Sequence, residues 1–336
     1  MTEHPDEAIA AVAERLAEAG ARIDPVLEEL LPRDPDDSLS EAVWYHLATG
    51  GKRIRPAFCL VTCEQLGGDP SQALYFAAAV EVLHNMLLIH DDVEDGDTIR
   101  RDQETVWVRY GVANAINVGD YMLSIASQAV LKSPVSDATK VRLARVFSES
   151  FESTCRGQAF DVNTRGSEDL TVDDYLRMVA GKTGRYLALG MVGGAIIAGC
   201  DEQVLSHIEA LCESMGVAFQ IRDDVIDLTV GKGRGGVTGN DIREGKASIL
   251  YAHAISAADP GRRRELVRIM RKPREETSDA EVERVKALYE ELGSLEFAQA
   301  EADRLVERAF ETIASIPVED KDFFRQIARY MVSRTK

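Results

Sequence analysis

Apolar residues recur at helical spacing along almost the whole 336-residue chain, and only short stretches rich in Pro, Gly and Asp interrupt the pattern. Strand-like runs are scarce. The pattern predicts an all-α protein, and because no long linker divides it we expect a single domain over residues 1–336. Capping patterns predict helix starts at Ser71, after Pro70, and at Ser278, with Glu281 three residues on. The predicted helices cover residues 6–19, 39–48, 55–66, 71–92, 112–131, 138–162, 172–199, 202–228, 242–257, 262–271, 279–292, 294–315 and 319–333.

The composition excludes some classes of function. A formal net charge of −18 argues against general nucleic-acid binding, which needs a basic face. The one Arg-rich stretch, GRRRELVRIMRKPRE at 261–275, is better explained as a solvated helix face. We therefore expect no nucleic-acid partner.

Several features favour a cytoplasmic protein. The five cysteines are odd in number and form no CxxC pair, so they predict neither a disulfide framework nor a zinc site. The N-terminus, MTEHPDEAIA, lacks the basic and apolar regions of a signal peptide. The most membrane-like stretch, residues 187–200, is too short to span a bilayer, and its Gly190 and Gly194 suit a closely packed buried helix. We expect no stable membrane insertion.

Two short acidic motifs carry the strongest chemical signal. DDVED at 91–95 follows the apolar stretch LLIH, and DDVID at 223–227 follows AFQIR. In each motif, carboxylates four residues apart share one helix face, which makes a site for a hard cation such as Mg²⁺. Solvated acidic faces are the simpler explanation for either motif alone. The apolar flanks argue against it for the pair, because carboxylates next to buried surface need compensation.

Basic residues lie beside glycines in several places, as is typical of anion contacts. GGKRIRP at 50–56 precedes a predicted helix, and Arg100 and Arg101 follow the first acidic motif. AGKTG at 180–184 and REGK at 243–246 add two lysines. Taken alone, each of these cations could be an ordinary surface charge. The GKT sequence is not a P-loop, because Leu176 stands where the earlier glycine is required.

Taken together, these segments resemble the trans-type isoprenyl diphosphate synthases, also called polyprenyl synthetases, over nearly the whole chain. They occur in the family's order, and two DDxxD motifs with such flanks are highly specific. The segments are GGKRIRP, EVLHNMLLIHDDVED, the two arginines, GQAFD, GKT, FQIRDDVID and DIREGK.

The resemblance implies a large helical bundle around a deep central cavity, usually dimeric, that joins isopentenyl diphosphate to an allylic diphosphate (dimethylallyl, geranyl or farnesyl). It implies three Mg²⁺ per active site, with Asp91, Asp95 and Asp223 as ligands. The supporting carboxylates would be Asp92, Asp224 and Asp227. The cations on the allylic diphosphate would be Arg100, Lys182 and Lys246, with Thr183 and Gln220 near the reacting carbon. The diphosphate of isopentenyl diphosphate would be bound by Lys52, Arg55, His84 and Arg101.

The chain departs from the family at one point. A further lysine is common four or five residues before the aspartate of DIREGK, where this chain has Gly236 and Val237. Lys232 or Arg234 in the same Gly-rich segment could substitute for it.

Product length in this family depends on side chains just upstream of the first acidic motif. Met86 and Leu87 are neither the aromatic floor typical of farnesyl-length enzymes nor the small residues of long-chain ones, and Leu83 lies one turn further down. This favours geranylgeranyl diphosphate as product, with farnesyl or longer-chain products as alternatives. All three residues could equally be ordinary core.

Two other functions remain open. A terpene cyclase of related fold should carry an Asn/Ser/Glu-type second metal motif, whereas this chain has a full DDVID at 223–227. A regulatory subunit of a heteromeric synthase should have lost metal ligands, yet both acidic motifs are intact. Both alternatives are therefore ranked below an elongating enzyme.

Overall fold

The computed structural model describes residues 5–229 and 238–333, and the regular secondary structure of these residues is helical except for one small hairpin. The hairpin pairs β1 (Ile99–Arg100) with β2 (Gln103–Glu104) in antiparallel fashion. The helices are α1 (Pro5–Ala21), α2 (Asp24–Leu30), α3 (Ser38–Leu47), α4 (Ile54–Gln65), α5 (Leu74–Glu94), α6 (Val106–Tyr110), α7 (Val112–Lys132), α8 (Asp137–Asn163), α9 (Val172–Val179), α10 (Arg185–Ile197), α11 (Glu202–Thr229), α12 (Asn240–Arg243), α13 (Ile249–Ala257), α14 (Pro260–Met270), α15 (Asp279–Glu291), α16 (Ser294–Ser315) and α17 (Asp322–Ser333). The all-α fold class predicted from the periodicity is confirmed.

The described residues form two compact units. Unit 1 is drawn from residues 1–150, 187–209 and 315–330, and unit 2 from residues 151–186, 210–314 and 331–336. The first acidic motif lies in unit 1 and the second in unit 2.

Helix α5 is the core helix of unit 1. Phe76, Val80, Leu83 and Ile89 have no exposed surface. Together with the turn before it, this helix (Pro70–Glu94) is long and apolar enough to cross a membrane by length and composition, and 67% of its most apolar window is buried inside the protein. Burial of this kind is the ordinary state of a core helix. Among the described residues, the candidate is therefore this helix and not residues 187–200, which the sequence analysis took as the most membrane-like stretch but too short to span a bilayer.

Helix α10 packs against α4 through bare backbone. A Cβ on Gly190 would lie 2.5 Å from the carbonyl oxygen of Arg55, and one on Gly194 would lie 2.3 Å from that of Cys59. No side chain fits at such distances, so the predicted close packing of these glycines is confirmed.

Unit 2 is built around a core that includes three large, fully buried side chains, Tyr175, Tyr251 and Tyr289. Helix α15 in this unit begins as predicted. Ser278 accepts from the backbone N–H of Glu281, and the Glu281 carboxylate accepts in return from the N–H of Ser278, which is a complete capping box.

The predicted cap at Ser71 is wrong. Asp69 caps a 3₁₀ turn over Pro70–Ala73 by accepting from the N–H of Ser71, and α5 begins only at Leu74. The carboxylate of Asp69 also accepts from the Ser71 hydroxyl at 2.8 Å, so the serine side chain is already engaged as a donor.

Two predicted helices are interrupted. The segment 172–199 contains a π-helical turn over Ala180–Gly184 between α9 and α10. The segment 242–257 is broken between α12 and α13 at Gly245, which has a left-handed backbone (φ +63°) and lies so close to the carbonyl of Met270 that a Cβ would be 2.2 Å from its oxygen. Helices α2 and α6 and the hairpin were not predicted.

Candidate active site

The first acidic motif forms the last turn of α5. The N–H of Asp95 donates to the carbonyl of Asp91 at 2.8 Å, so the two carboxylates lie one helical turn apart, as predicted. Both residues are half-buried. The carbonyl end of a helix carries partial negative charge, which adds to that of the carboxylates and makes this helix end a favourable place for cations.

Asp92, between them in sequence, has a different environment. It is 1% exposed, and one of its oxygens accepts from Nε and Nη2 of Arg100, each at 2.6 Å. A second carboxylate, that of Asp97, lies 3.8 Å from Arg100. Arg100 stands on β1, so the hairpin after the motif brings this arginine back to the end of α5.

The hairpin turn also positions Arg101. Arg101 and Asp102 both adopt left-handed backbone conformations, with φ values of 51° and 62°, which close the two-residue turn. Nη1 of Arg101 donates to the hydroxyl of Thr49 at 3.3 Å and lies 3.1 Å from the place a Cβ on Gly51 would take. The glycine therefore lets the arginine lie against the GGKRIRP loop.

A cationic cluster adjoins this loop. Nη1 of Arg55 lies 3.4 Å from Nε2 of His84. Burial, followed by the charges of Arg55 and Arg101, lowers the pKa of His84 well below its usual value, so the imidazole is neutral and can accept from Arg55. Unit 1 thus brings Arg55, His84 and Arg101 together, with the exposed Lys52 on the same loop.

The three residues predicted to set chain length lie on α5 below the motif. Leu83 and Met86 are fully buried, whereas Leu87 is half-buried.

The second acidic motif lies near the end of α11 in unit 2. Asp223 is half-buried, and Asp224 is 5% exposed and saturated with donors. The carboxylate of Asp224 accepts from the Tyr175 hydroxyl at 2.8 Å, the Gln220 amide at 3.1 Å and the backbone N–H of Ile249 at 3.2 Å. Burial, and then the charge of Asp224, raises the pKa of Tyr175 well above its usual value, which keeps the phenol as a donor. Tyr175 was not predicted as part of the site.

Asp227 fixes the backbone on the far side of the motif. It is fully buried; its carboxylate accepts from the N–H of Asp241 at 3.0 Å and its carbonyl accepts from the N–H of Gly239 at 2.8 Å. The position of the missing lysine, at Gly236 and Val237, and its proposed substitutes Lys232 and Arg234 lie outside the described residues.

Lys182 and Thr183 lie in the π turn. Nζ of Lys182 is 2.9 Å from Oδ2 of Asp161, which is 7% exposed. A Cβ on Gly157 would lie 2.8 Å from the Cβ of Lys182, so this glycine lets the lysine approach α8 closely. Single π turns are rare and occur frequently at functional sites.

Lys246 is bracketed by acids in the same way. Its Nζ lies 2.9 Å from Oε2 of Glu244 and 3.8 Å from Oδ1 of Asp241. Asp161, Asp241 and Glu244 were not predicted as site residues, although GQAFD and DIREGK contain them. What the motifs did not reveal is that Lys182 and Lys246 each have an acidic partner.

The carboxylates of the two motifs are oxygen donors of the kind that Mg²⁺ prefers. Over residues 5–229 and 238–333, no group of three or more His, Cys, Asp or Glu side chains is arranged to hold a metal. Mg²⁺ usually takes one or two protein carboxylates and completes its shell with water and substrate phosphate. The half-buried Asp91 and Asp95, one turn apart, fit that mode, as does Asp223.

Comparison with known proteins agrees with this chemistry. The sequence model of the family described as polyprenyl synthetase matches residues 36–292, a range that runs through both units. The chain belongs to the polyprenyl synthetase family.

Individual relatives match along almost their full length. A short chain isoprenyl diphosphate synthase of Methanothermobacter thermautotrophicus is 33% identical, over 94% of this chain and 95% of its own. A geranylgeranyl diphosphate synthase of Methanosarcina mazei is 31% identical, over 96% and 98%. The crystal structure of geranylgeranyl pyrophosphate synthetase from Pyrococcus horikoshii superposes with a TM-score of 0.87 at 32% identity, covering 98% of this chain and 99% of that one.

This member of the family is a trans-prenyltransferase that elongates an allylic diphosphate with isopentenyl diphosphate, and its reaction depends on Mg²⁺.

Proposed function

We propose that the polyprenyl synthetase described here makes geranylgeranyl diphosphate from isopentenyl diphosphate and dimethylallyl, geranyl or farnesyl diphosphate. The observation that carries the proposal is the pair of acidic helix ends, each accompanied by cations that buried acids hold in place. The chemistry of such ends matches a substrate with a highly charged diphosphate and an apolar tail.

The carboxylates divide into two groups by burial. Asp91, Asp95 and Asp223 are half-buried and are the proposed Mg²⁺ ligands, with three ions per active site. Asp92, Asp224 and Asp227 are buried and engaged in hydrogen bonds, so their proposed role is to hold the neighbouring groups in position.

The cations also divide into two sets. Arg100, Lys182 and Lys246 are proposed to hold the allylic diphosphate. In unit 1, Lys52, Arg55, His84 and Arg101 are proposed to bind the diphosphate of isopentenyl diphosphate. The lowered pKa of His84 fits this role, because a neutral ring can accept from Arg55 and thereby aim the guanidinium.

Magnesium supplies electrostatic stabilisation of the charge that develops on the departing diphosphate. Arg100, Lys182 and Lys246 stabilise the same charge through hydrogen bonds, and because acids already hold them, little reorganisation is needed. The hydroxyl oxygen of Thr183 and the amide oxygen of Gln220 would face the electron-poor allylic carbon. Gln220 donates its amide N–H to Asp224, which leaves its oxygen as the remaining polar atom. As the bond between the allylic carbon and the diphosphate oxygen breaks, the double bond of isopentenyl diphosphate attacks that carbon. The released diphosphate then takes up the proton whose loss completes the longer chain.

Product length is proposed to be limited at Met86 and Leu87, with Leu83 one turn below. Similar proteins are named for products of different length. They include a geranylfarnesyl diphosphate synthase of Aeropyrum pernix and a farnesyl diphosphate synthase of Mycobacterium tuberculosis, each 33% identical to this chain. A farnesyl or longer product is the alternative.

We further propose that residues 1–336 act as one synthase domain, since one family match runs through both units. The proposal includes a homodimer that works in the cytoplasm without stable membrane insertion.

The test is an assay with isopentenyl diphosphate and, separately, each of the three allylic primers, with and without Mg²⁺, and with products sized by mass spectrometry. A Mg²⁺-dependent C20 product supports the proposal, and a dominant C15 or longer product overturns the assigned length. A cyclic hydrocarbon made without isopentenyl diphosphate would indicate a cyclase. Absence of turnover with any primer would indicate a regulatory subunit.

A further inference from the structure

Four polar side chains in unit 1 form a connected hydrogen-bond network that the proposed chemistry does not use. They are His46 on α3, Glu81 and Asn85 on α5, and Arg53 just before α4. His46 and Glu81 are each 3% exposed and Asn85 is fully buried. Buried polar groups destabilise a protein unless they form hydrogen bonds, so the members of this network have to bond to one another.

The hydrogen bonds of this network converge on the carboxylate of Glu81. The side-chain amide of Asn85 donates to both the carbonyl oxygen and Oε1 of Glu81, each at 2.9 Å. Nη1 of Arg53 donates to the same Oε1 at 2.6 Å. Because the amide nitrogen of Asn85 is committed to Glu81, its oxygen faces Nε2 of His46 at 3.1 Å.

The state of His46 follows from this arrangement. Burial, followed by the charges of Arg100 and Arg101, lowers the pKa of His46 to about 3, so the ring is neutral. A neutral ring has one N–H, and the acceptor oxygen of Asn85 requires it at Nε2. Every donor in this network therefore has an acceptor. The imidazole of His46 donates to the amide oxygen of Asn85, and the amide nitrogen of Asn85 and the guanidinium of Arg53 both donate to the carboxylate of Glu81.

Arg53 belongs both to this network and to the GGKRIRP loop at 50–56. Its backbone is left-handed, with φ 46° and ψ 32°, a conformation that is unfavourable for a residue other than glycine. Gly20 of α1 confines it from one side, since a Cβ there would lie 2.7 Å from the Cβ of Arg53. The buried carboxylate of Glu81 holds its side chain, and Asp24 lies 3.7 Å from its Nε.

The neighbours of Arg53 in sequence are the residues that matter for binding. Lys52 precedes it, Arg55 follows two residues later, and Arg55 reaches His84 on the same helix that carries Glu81 and Asn85. A loop residue held in an otherwise unfavourable conformation fixes the direction of the chain on both sides of it.

We infer that Glu81, supported by Asn85 and His46, is a positioning residue that holds Arg53 and thereby sets Lys52 and Arg55 for the diphosphate of isopentenyl diphosphate. The inference rests on the proposed function, because it assigns that substrate to this loop. It concerns the homoallylic substrate alone, since none of the four residues belongs to either acidic motif.

The test compares steady-state constants of the full-length enzyme for both substrates. In Glu81→Gln, which removes the charge and keeps the shape, we expect KM for isopentenyl diphosphate to rise about tenfold, while kcat and KM for the allylic primer stay within about twofold. Glu64→Gln is the matched control, because Glu64 pairs with Arg15 in an exposed ion pair of the same unit. An unchanged KM for isopentenyl diphosphate in Glu81→Gln, or an equal rise in both KM values, overturns the inference.

A double variant separates positioning from charge neutralisation. Arg53→Met combined with Glu81→Gln removes both partners of the buried pair, which restores stability if the uncompensated charge was the only fault. On the present inference the thermal midpoint recovers while KM for isopentenyl diphosphate stays raised. Recovery of both would overturn it. A wild-type enzyme without any turnover of isopentenyl diphosphate would instead contradict the proposed function.

A second pair of variants serves if Glu81→Gln does not fold. Gln at position 46 can place an amide N–H near the position of Nε2, whereas Leu cannot. We expect His46→Leu to raise KM for isopentenyl diphosphate and His46→Gln to keep it close to the wild-type value. Equal KM values for isopentenyl diphosphate in the two variants would contradict the proposed role of His46 in this network.

Discussion

Asp91 and Asp92 are adjacent in sequence but differ in environment, because Asp92 is 1% exposed and bound to Arg100 at 2.6 Å while Asp91 is half-buried at the open end of α5. The carboxylate of Asp92 is engaged in the fold around the motif, whereas that of Asp91 is a proposed ligand of a metal ion. The two can therefore be separated experimentally by measuring stability and activity on the same variants.

The first prediction concerns stability. Asp92→Asn should lower the free energy of unfolding by about 1–3 kcal/mol, because it removes the charge of the carboxylate that lies nearer to the guanidinium of Arg100. Asp91→Asn should change it by much less. Urea unfolding followed by circular dichroism measures both. Equal losses in the two variants would contradict the difference in role.

The second prediction concerns turnover. Asp91→Ala and Asp223→Ala should each reduce kcat by orders of magnitude with the helical circular dichroism unchanged, because a role in transition-state stabilisation is removed. Asp137→Ala and Asp169→Ala are the controls, since these carboxylates are 100% and 93% exposed. Activity like that of the wild type in either motif variant would defeat the metal assignment.

The third prediction concerns product length. Met86→Phe should shorten the main product, as judged by mass spectrometry, because a larger ring would obstruct the growing tail. Met86 is 1% exposed, so the variant should also lose about 1–3 kcal/mol of stability through overpacking. The half-buried Leu87 offers a milder companion, Leu87→Phe. If neither variant changes the product, the tail is stopped elsewhere and these residues are ordinary core.

The fourth prediction concerns pH. His46 titrates near 3 in the folded protein, whereas an unfolded histidine titrates near 6.5. Between these values the unfolded state binds a proton that the folded state does not. The stability is therefore complete above about pH 6.5 and falls as the pH is lowered, by up to about 1.4 kcal/mol per pH unit. His84, whose pKa is also lowered, acts in the same direction.

Urea unfolding at pH 7, 6 and 5 measures this dependence. In His46→Gln the free energy of unfolding should depend less steeply on pH, because one titrating histidine is removed. The dependence that remains should include the contribution of His84. An identical slope in the variant would mean that His46 already takes up its proton in the folded state.

The sequence predicted elements well where the signal was local. The capping box at Ser278 and the limits of helix 294–315 follow from residues within a few positions of one another. The hairpin at 99–104 was missed because two-residue strands show no periodicity. The break at Gly245 was missed because its cause, the carbonyl of Met270, is distant in sequence.

The same distinction explains the site. The motifs predicted candidate site residues, and the two acidic motifs and GKT lie at the ends of α5 and α11 and in the π turn. The pairs Arg53 with Glu81, Lys182 with Asp161 and Tyr175 with Asp224 join residues 28, 21 and 49 positions apart. Such partners depend on helix packing, which no single motif encodes.

The glycine face of α10 has a consequence for reading mutational data. Gly190 meets the backbone of Arg55, so even one added methyl group would displace the first turn of α4 and the cations beside it. In a saturation scan scored by growth or product yield, Gly190 and Gly194 should tolerate as few substitutions as Asp91. A scan of this kind would therefore score the glycines of α10, a structural helix, as highly as the acidic motifs. A separate measurement of the amount of folded protein would distinguish variants that fail to fold from variants that fold but are inactive.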